Sequence, residues 1–169
     1  MTNTRKLVFT ALCIALGVVL PLFFHGVPNA GQVFLPMHLP VLLCGLICGP
    51  WLGLACGALT PLLGCLLSGM PPVALLPGML FELATYGLVA GLLLMVIRGR
   101  AAVPLALVGA MLAGRLVMGL LNSLIFRAGD YSFAVWLTAS FVTALPGILI
   151  QLVSLPIVIF ALKKAKLIE

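Results

Sequence analysis

The sequence predicts an all-α, polytopic membrane protein of six transmembrane helices, with its N- and C-termini in the cytoplasm. Of 169 residues, 64% are hydrophobic and only 7% are charged, which is too little polar surface for a soluble fold. Apolar runs of about 20 residues, enough to cross roughly 30 Å of hydrocarbon, follow one another along the chain. Basic residues are concentrated on one side of these runs. We interpret residues 1–169 as a single transmembrane domain.

The first helix is predicted over residues 6–24. It follows Arg5 and Lys6 as the apolar part of a signal peptide would, but it lacks a convincing small-residue cleavage site and further spans follow. We therefore expect it to be retained as a membrane span. The loop after it, residues 25–32, is rich in turn-forming glycine, proline and asparagine.

The second and third helices are predicted as a hairpin. The second occupies residues 34–49 and the third residues 51–68. Between them, Gly49 and Pro50 are typical of a tight turn.

The last three helices are separated by short polar or proline-rich connections. Residues 69–72, with one glycine and two prolines, end the third helix. The remaining helices are predicted over residues 73–97, 101–126 and 133–162.

Lysine and arginine set the orientation, because cytoplasmic loops carry an excess of positive charge. Only Arg127 lies on the outer side, and Arg115 lies within a helix. The basic residues on the other side of six spans are Arg5, Lys6, Arg98, Arg100, Lys163, Lys164 and Lys166. This distribution places both termini in the cytoplasm. With five or seven spans, the basic residues would no longer all lie on one side of the membrane.

Composition also excludes several functions. The net charge of +6 comes from residues that flank apolar spans and form no stripe with aromatic residues, so no nucleic-acid partner is predicted. No G-x-x-x-x-G-K-[ST] loop occurs, and three acidic residues are too few for a carboxylate-bound metal centre. No nucleophile lies beside a plausible base. We predict neither an enzyme nor a bound metal or cofactor.

Glu82 and Arg115 are ionisable residues inside predicted spans. Facing lipid, each would cost several kcal/mol, so we expect both to face the bundle interior or a wet cavity. Their depths in the fourth and fifth helices permit an ion pair. Tyr86 lies one turn from Glu82, and Asn122 continues the face of Arg115. We predict that these four residues contact a polar ligand; the alternative is that the pair only fixes helix packing.

His38 is a further candidate ligand contact, because it starts the second helix below the loop over residues 25–32. A solvated or capped histidine is the alternative. Cys44 and Cys48 lie at positions i and i+4 of the same helix, a spacing that suits a soft metal. No paired thiolate motif repeats elsewhere in the sequence, so a structural role is favoured. The cysteines lie in apolar runs, and we expect no disulfide framework.

The sequence resembles the S components of energy-coupling factor (ECF) transporters over nearly its full length. The segments that carry the resemblance are Ala11-x-x-x-Ala15, Pro36-Met37-His38-Leu39-Pro40, Gly49-Pro50-Trp51, Ser68-Gly69-Met70-Pro71-Pro72 and Phe81-Glu82-Leu83-Ala84-Thr85-Tyr86-Gly87. S components are six-helix subunits that bind a vitamin and rely on other subunits for ATP hydrolysis.

The resemblance implies a small water-soluble vitamin or precursor as cargo and a location in the bacterial plasma membrane. It implies a transmembrane coupling protein and two ATPase subunits as partners, with Ala11 and Ala15 as the docking surface for the coupling protein. Residues 25–32 and 69–72 would be gates over the cargo. The Met-His-Leu-Pro string is similar to the metal-binding start of nickel and cobalt S components. It is internal here, at Met37–Pro40, so neither metal is predicted.

Other functions remain open at this point. A small channel or secondary transporter would use Glu82 and Arg115 as an ion relay, and a structural protein would use them only for packing. If the two residues neutralise each other, a neutral ring compound is the expected cargo. If Arg115 is free, an anion such as pantothenate is expected.

Overall fold

Within the part of the chain that it describes, the computed structural model contains six helices long and apolar enough to cross a membrane. The structure describes residues 2–24, 26, 29–99, 101–126, 131–166 and 168. The spans are Asn3–Phe24, Ala30–Cys48, Pro50–Ser68, Leu76–Val96, Ala102–Phe126 and Leu145–Lys164. The predicted class, an all-α protein with six spans, is confirmed. Arg100, Arg127 and residues 25, 27 and 28 of the first predicted gate lie outside the described residues.

The helical elements alternate between regular α-helix and short irregular segments. A 3-10 segment, Leu20–Phe24, extends the first helix. π-Helical segments follow the sixth and seventh helices at Asn122–Phe126 and Thr138–Thr143. The α-helices are α1 (Asn3–Val19), α2 (Ala30–Phe34), α3 (His38–Cys48), α4 (Pro50–Ser68), α5 (Leu76–Val96), α6 (Ala102–Leu121), α7 (Phe133–Leu137) and α8 (Leu145–Lys164).

Two predicted helices are divided in the structure. The second span begins at Ala30, earlier than predicted, and breaks at Leu35, which has a left-handed backbone (φ 51°). Leu35 precedes Pro36, and a residue before proline is disfavoured in the α conformation. The predicted single helix over residues 133–162 is instead α7 with its π-helical segment, followed by α8. The division falls at Ala144, and Pro146 lies in the first turn of the new helix.

Glycines allow α3, α4 and α5 to approach through their backbones. A Cβ atom on Gly53 of α4 would overlap the carbonyl oxygen of Gly87 on α5, and so would one on Gly45 of α3. Close approach of this kind is how helices associate in membranes, where packing replaces the hydrophobic effect. It places α5 at the centre of the bundle and turns Glu82 inward.

Helix α1 packs against α3 and α4 with one face only. Cys13 and Gly17 are buried, and a Cβ on Gly17 would overlap the side chain of Thr60. Ala11 and Ala15, on the opposite face, are exposed. The small residues of this helix therefore serve two surfaces, one inside the bundle and one outside. All five cysteines are free thiols, and Cys44 contacts Thr10 of α1.

Candidate substrate-binding site

A cavity of about 430 Å³ opens at one end of the bundle. Its walls come from the 3-10 segment, α2, the α2–α3 break, the α4–α5 connection and the adjoining turns of α5, α6 and α7. This end lies opposite the basic termini, so the positive-inside rule makes it the outer end. The volume is in the range of small-molecule sites.

The floor of the cavity holds an ion pair between α5 and α6. Nη1 of Arg115 lies 3.0 Å from Oε1 of Glu82, and the two residues are 5% and 3% exposed. The contact is an ion pair and not a well-aligned hydrogen bond, since Oε1 of Glu82 has no hydrogen-bond partner. Charges so deeply buried are costly unless paired, which explains why each residue faces the other and not lipid.

His38 joins this pair from the start of α3. Its Nε2 lies 3.6 Å from the same Oε1 of Glu82, and its ring packs edge-on against Tyr86 with a centroid distance of 5.3 Å. The break at Leu35 positions the residue, because the backbone N–H of His38 donates to the carbonyl of Leu35. Neither ring nitrogen of His38 has a hydrogen-bond partner.

Tyr86 lies behind the floor and does not line the cavity. It is 1% exposed, and its ring packs on Gly114 of α6 so closely that a Cβ there would overlap it. Tyr86 therefore supports Glu82 and His38 from below. The structure thus places Tyr86 next to the cavity floor, and the predicted contact of this residue with a ligand stays a prediction.

Asn122 lines the cavity from the first residue of a π-helical segment. Such segments often re-aim side chains at functional sites. Gly78 of α5 leaves room for the amide, since a Cβ at that position would lie 2.9 Å from Nδ2 of Asn122. Gly119 does not share the cavity face: it is covered by the indole of Trp136. The cavity lining thus brings together four of the five predicted contact residues, His38, Glu82, Arg115 and Asn122, and Tyr86 lies beneath them.

The apolar part of the cavity wall includes four methionines that were not among the predicted site residues. They are Met37, Met70, Met79 and Met118. Met79 and Met118 are each three residues from an ionisable floor residue, Glu82 and Arg115 respectively, so helical spacing alone could have identified them. Met37 and Met70 stand in two of the segments that carry the resemblance, and the fold brings both to the cavity from the connections that precede α3 and α5.

Metal ligands do not cluster in the described part of the chain. No group of three histidine, cysteine, aspartate or glutamate side chains there is arranged to hold an ion. The cavity floor instead offers one carboxylate, one guanidinium, one imidazole and one amide, a set that suits an organic ligand.

The structure is thus a six-span membrane bundle with a polar-floored cavity of small-molecule size at its outer end. The family model "ECF transporter, substrate-specific component" matches residues 5–159. The chain therefore belongs to the family of substrate-specific components of ECF transporters. Comparisons with curated proteins and with solved structures give no significant match. Members of this family are transport subunits that work with the transmembrane and ATPase components of an ECF module.

Proposed function

We propose that this chain captures a small water-soluble vitamin or vitamin precursor in the outer cavity and hands it to an ECF module for import. The module would consist of a transmembrane coupling protein and two ATPase subunits in the bacterial plasma membrane. His38, Glu82, Arg115 and Asn122 would contact the cargo, and Tyr86 would hold the floor in place.

The observation that carries this proposal is a group of buried, unpartnered polar atoms in His38 and Arg115, two residues that line the cavity. Both ring nitrogens of His38 and two nitrogens of Arg115 are buried without hydrogen-bond partners. A buried polar group without a partner costs about 1–3 kcal/mol. A pair selected only to fix helix packing gains nothing from these unmet hydrogen bonds, whereas a binding site fulfils them when its ligand arrives.

Energy for transport has to come from other subunits, because the sequence contains no nucleotide-binding loop of the Walker type. The exposed face of α1 supports docking to such a subunit. Ala11 and Ala15 lie on it, flanked by the exposed apolar residues Val8 and Leu12. Small residues allow a partner helix to approach closely. In this proposal, Ala11 and Ala15 contact the coupling protein.

A channel is less well supported than a binding subunit. The cavity ends at the Glu82–Arg115 pair, with Tyr86 buried beneath it. Further along the same helix, Gly87 of α5 packs on Gly45 and Gly53 with backbone contacts. Such close packing leaves no continuous path through the bundle between the cavity and the opposite end of these helices.

The proposal is tested by thermal unfolding of the detergent-purified chain in the presence of B vitamins and their precursors. A ligand that binds only the folded state raises the melting temperature. We expect one compound to do so, and the shift to disappear in Glu82→Gln and Arg115→Ala. Thr85→Val, which removes a hydroxyl bonded to its own helix at Phe81, is the matched control and should keep the shift. The absence of a shift with every compound, from protein that unfolds cooperatively, would contradict the proposal.

A further inference from the structure

We propose that the cargo carries no net charge, and that Asn122 is the residue that recognises its polar group by hydrogen bonding. The cargo would have an apolar body and an uncharged polar group, such as an amide or a hydroxyl. This inference rests on the proposed function, because it requires that the outer cavity is the cargo site.

The charged side chains of the cavity lining cancel each other. Among the described residues that line it, Glu82 and Arg115 carry full charges, and they lie 3.0 Å apart. The imidazole of His38, 3.6 Å from the same carboxylate, is charged only when protonated. The other polar side chains of the lining are uncharged: Asn29, Gln32, Asn122 and Tyr131. With a neutral histidine, the lining has no spare charge of either sign for a ligand.

The helix dipoles at this end of the bundle are balanced as well. A helix carries partial positive charge at its N-terminus and partial negative charge at its C-terminus. The second, fourth and sixth spans begin at the outer end, and the first, third and fifth spans end there. The backbone therefore adds no strong field of one sign to the cavity.

A charged cargo would lie in this cavity without a counter-charge. A charge that leaves water is costly unless a charge of opposite sign meets it in the protein. Glu82 and Arg115 already neutralise each other, so neither can meet a charged ligand without losing its present partner. A cargo without net charge avoids this cost.

Asn122 is the polar side chain of the lining best placed to bind such a cargo. It lines the cavity and is 8% exposed. Its amide forms no hydrogen bond within the described part of the chain. Neither amide atom is among the fully enclosed polar atoms that lack a partner. The amide therefore keeps surface at the cavity, where a ligand can reach it.

The amide of Asn122 offers both N–H donors and a carbonyl acceptor. An uncharged amide, carbonyl or hydroxyl group of a ligand can pair with one or both of these. A site that hydrogen-bonds a ligand group rejects analogues that lack the group, because its own buried polar atoms are then left unpaired. Asn122 thus provides selectivity without requiring a charge on the cargo.

The wall of the cavity determines the rest of the cargo. Thioether side chains are apolar, adaptable and favourable against rings, and they form no strong hydrogen bonds with a polyol or sugar. A ring or short hydrocarbon chain therefore matches this wall. The methionines that line it are Met37, Met70, Met79 and Met118.

The experiment is a calorimetric titration of the detergent-purified chain with pairs of compounds that differ in charge. Four pairs compare a neutral compound with an acid: nicotinamide and nicotinate, pantothenol and pantothenate, biotin amide and biotin, lipoamide and lipoate. A fifth pair compares neutral pyridoxine with the amine pyridoxamine. The titrations are made at about pH 8, the upper end of the range in which histidine takes up a proton.

We expect one neutral compound to bind with a Kd at least about tenfold lower than that of its charged counterpart. Asn122→Leu keeps the size of the side chain but has no donor or acceptor, so it should raise the Kd of that compound about tenfold or more. Ser123→Ala, the next residue, removes a hydroxyl bonded to its own helix and is the control that should bind normally.

Glu82→Gln tests the charge argument by a gain of binding. This variant leaves Arg115 without its counter-charge, so the neutral compound should lose affinity and an acid should gain it. Damage to the fold would weaken the binding of both compounds, whereas the inference requires the order of their affinities to reverse.

Three results would overturn this inference and leave the proposed function standing, because cargo still binds. They are an acid or amine that binds the native chain as tightly as its neutral counterpart, undiminished binding of the neutral compound to Asn122→Leu, and an unchanged order of affinities in Glu82→Gln. A fourth result, no binding of any vitamin or panel compound to folded protein, overturns the proposed function and this inference together.

Discussion

Trp136 and Arg115 are joined by a hydrogen bond of 3.0 Å from the indole Nε1 to the backbone carbonyl of the arginine. The contact links α7, which lines the cavity mouth with Val135, to the helix that carries the floor. The indole also covers Gly119, where a Cβ would overlap it. The wall formed by α7 is therefore bonded to the same residue that pairs with Glu82. A displacement of α7 would change the position of Arg115 on the cavity floor.

Replacing Trp136 by phenylalanine should loosen α7 without unfolding the protein. One hydrogen bond contributes about 0.5–1.5 kcal/mol to stability, so we expect a small decrease in melting temperature. Cargo should dissociate faster, because one wall of the cavity is less firmly held. The off-rate is measured by washing out a bound compound. Trp51→Phe is the control, and an equal effect of both variants would contradict a specific role for the Trp136 contact.

Removing one partner of the Glu82–Arg115 pair should destabilise the protein more than replacing both partners by uncharged residues. Arg115→Ala leaves a buried carboxylate without its counter-charge, which costs about 3–5 kcal/mol. The double variant Glu82→Gln with Arg115→Met leaves no charge, so its melting temperature in detergent should be higher than that of Arg115→Ala. Neither variant should bind cargo. Retained binding in the double variant would show that the pair only holds the helices together.

Gly87 should tolerate no side chain. A Cβ there would overlap the carbonyl oxygen of Gly53, and two helix backbones in contact have no flexible group that gives way. Gly87→Ala is expected to reduce the yield of folded protein strongly, measured as the monodisperse fraction after purification in detergent. Gly26→Ala, where a Cβ meets nothing within 4 Å, is the matched control. Equal yields of the two variants would refute the close packing of α4 and α5.

Much of the fold could be predicted from the sequence, because the bilayer fixes helix length and basic residues fix orientation. Glu82 and Arg115 could be identified since charges are rare within spans. The breaks at Leu35 and Ala144 lie next to Pro36 and Pro146, but proline alone does not locate a break, because Pro61 and Pro156 stand inside continuous helices. The division at Ala144 is also tertiary in origin: Gly147 lies against the backbone of Phe34.

The site was predictable only in part. Helical spacing places Tyr86 beside Glu82, but it does not say which of the two lines the cavity. That choice depends on the contact of Tyr86 with Gly114 on a different helix. The π-helical turn at Asn122 likewise shifts the side chain relative to regular helical geometry. Helical spacing in the sequence tells which residues share a face of a helix. Packing between helices decides which of those residues line the cavity and which lie behind it.

The exposed face of α1 should be required for coupling and not for cargo binding. Ala15 is exposed on the side of α1 away from Cys13, so Ala15→Trp adds bulk without disturbing the bundle and should block the close approach of a partner helix. We expect the variant to retain its ligand-induced rise in melting temperature but to lose co-purification with the coupling protein and uptake in cells expressing a complete ECF module. Val153→Trp, at an exposed position of α8, controls for added bulk and should retain all three properties. Normal co-purification of Ala15→Trp would place the docking surface elsewhere on the protein, while loss of the ligand response would show that α1 contributes to the cavity itself.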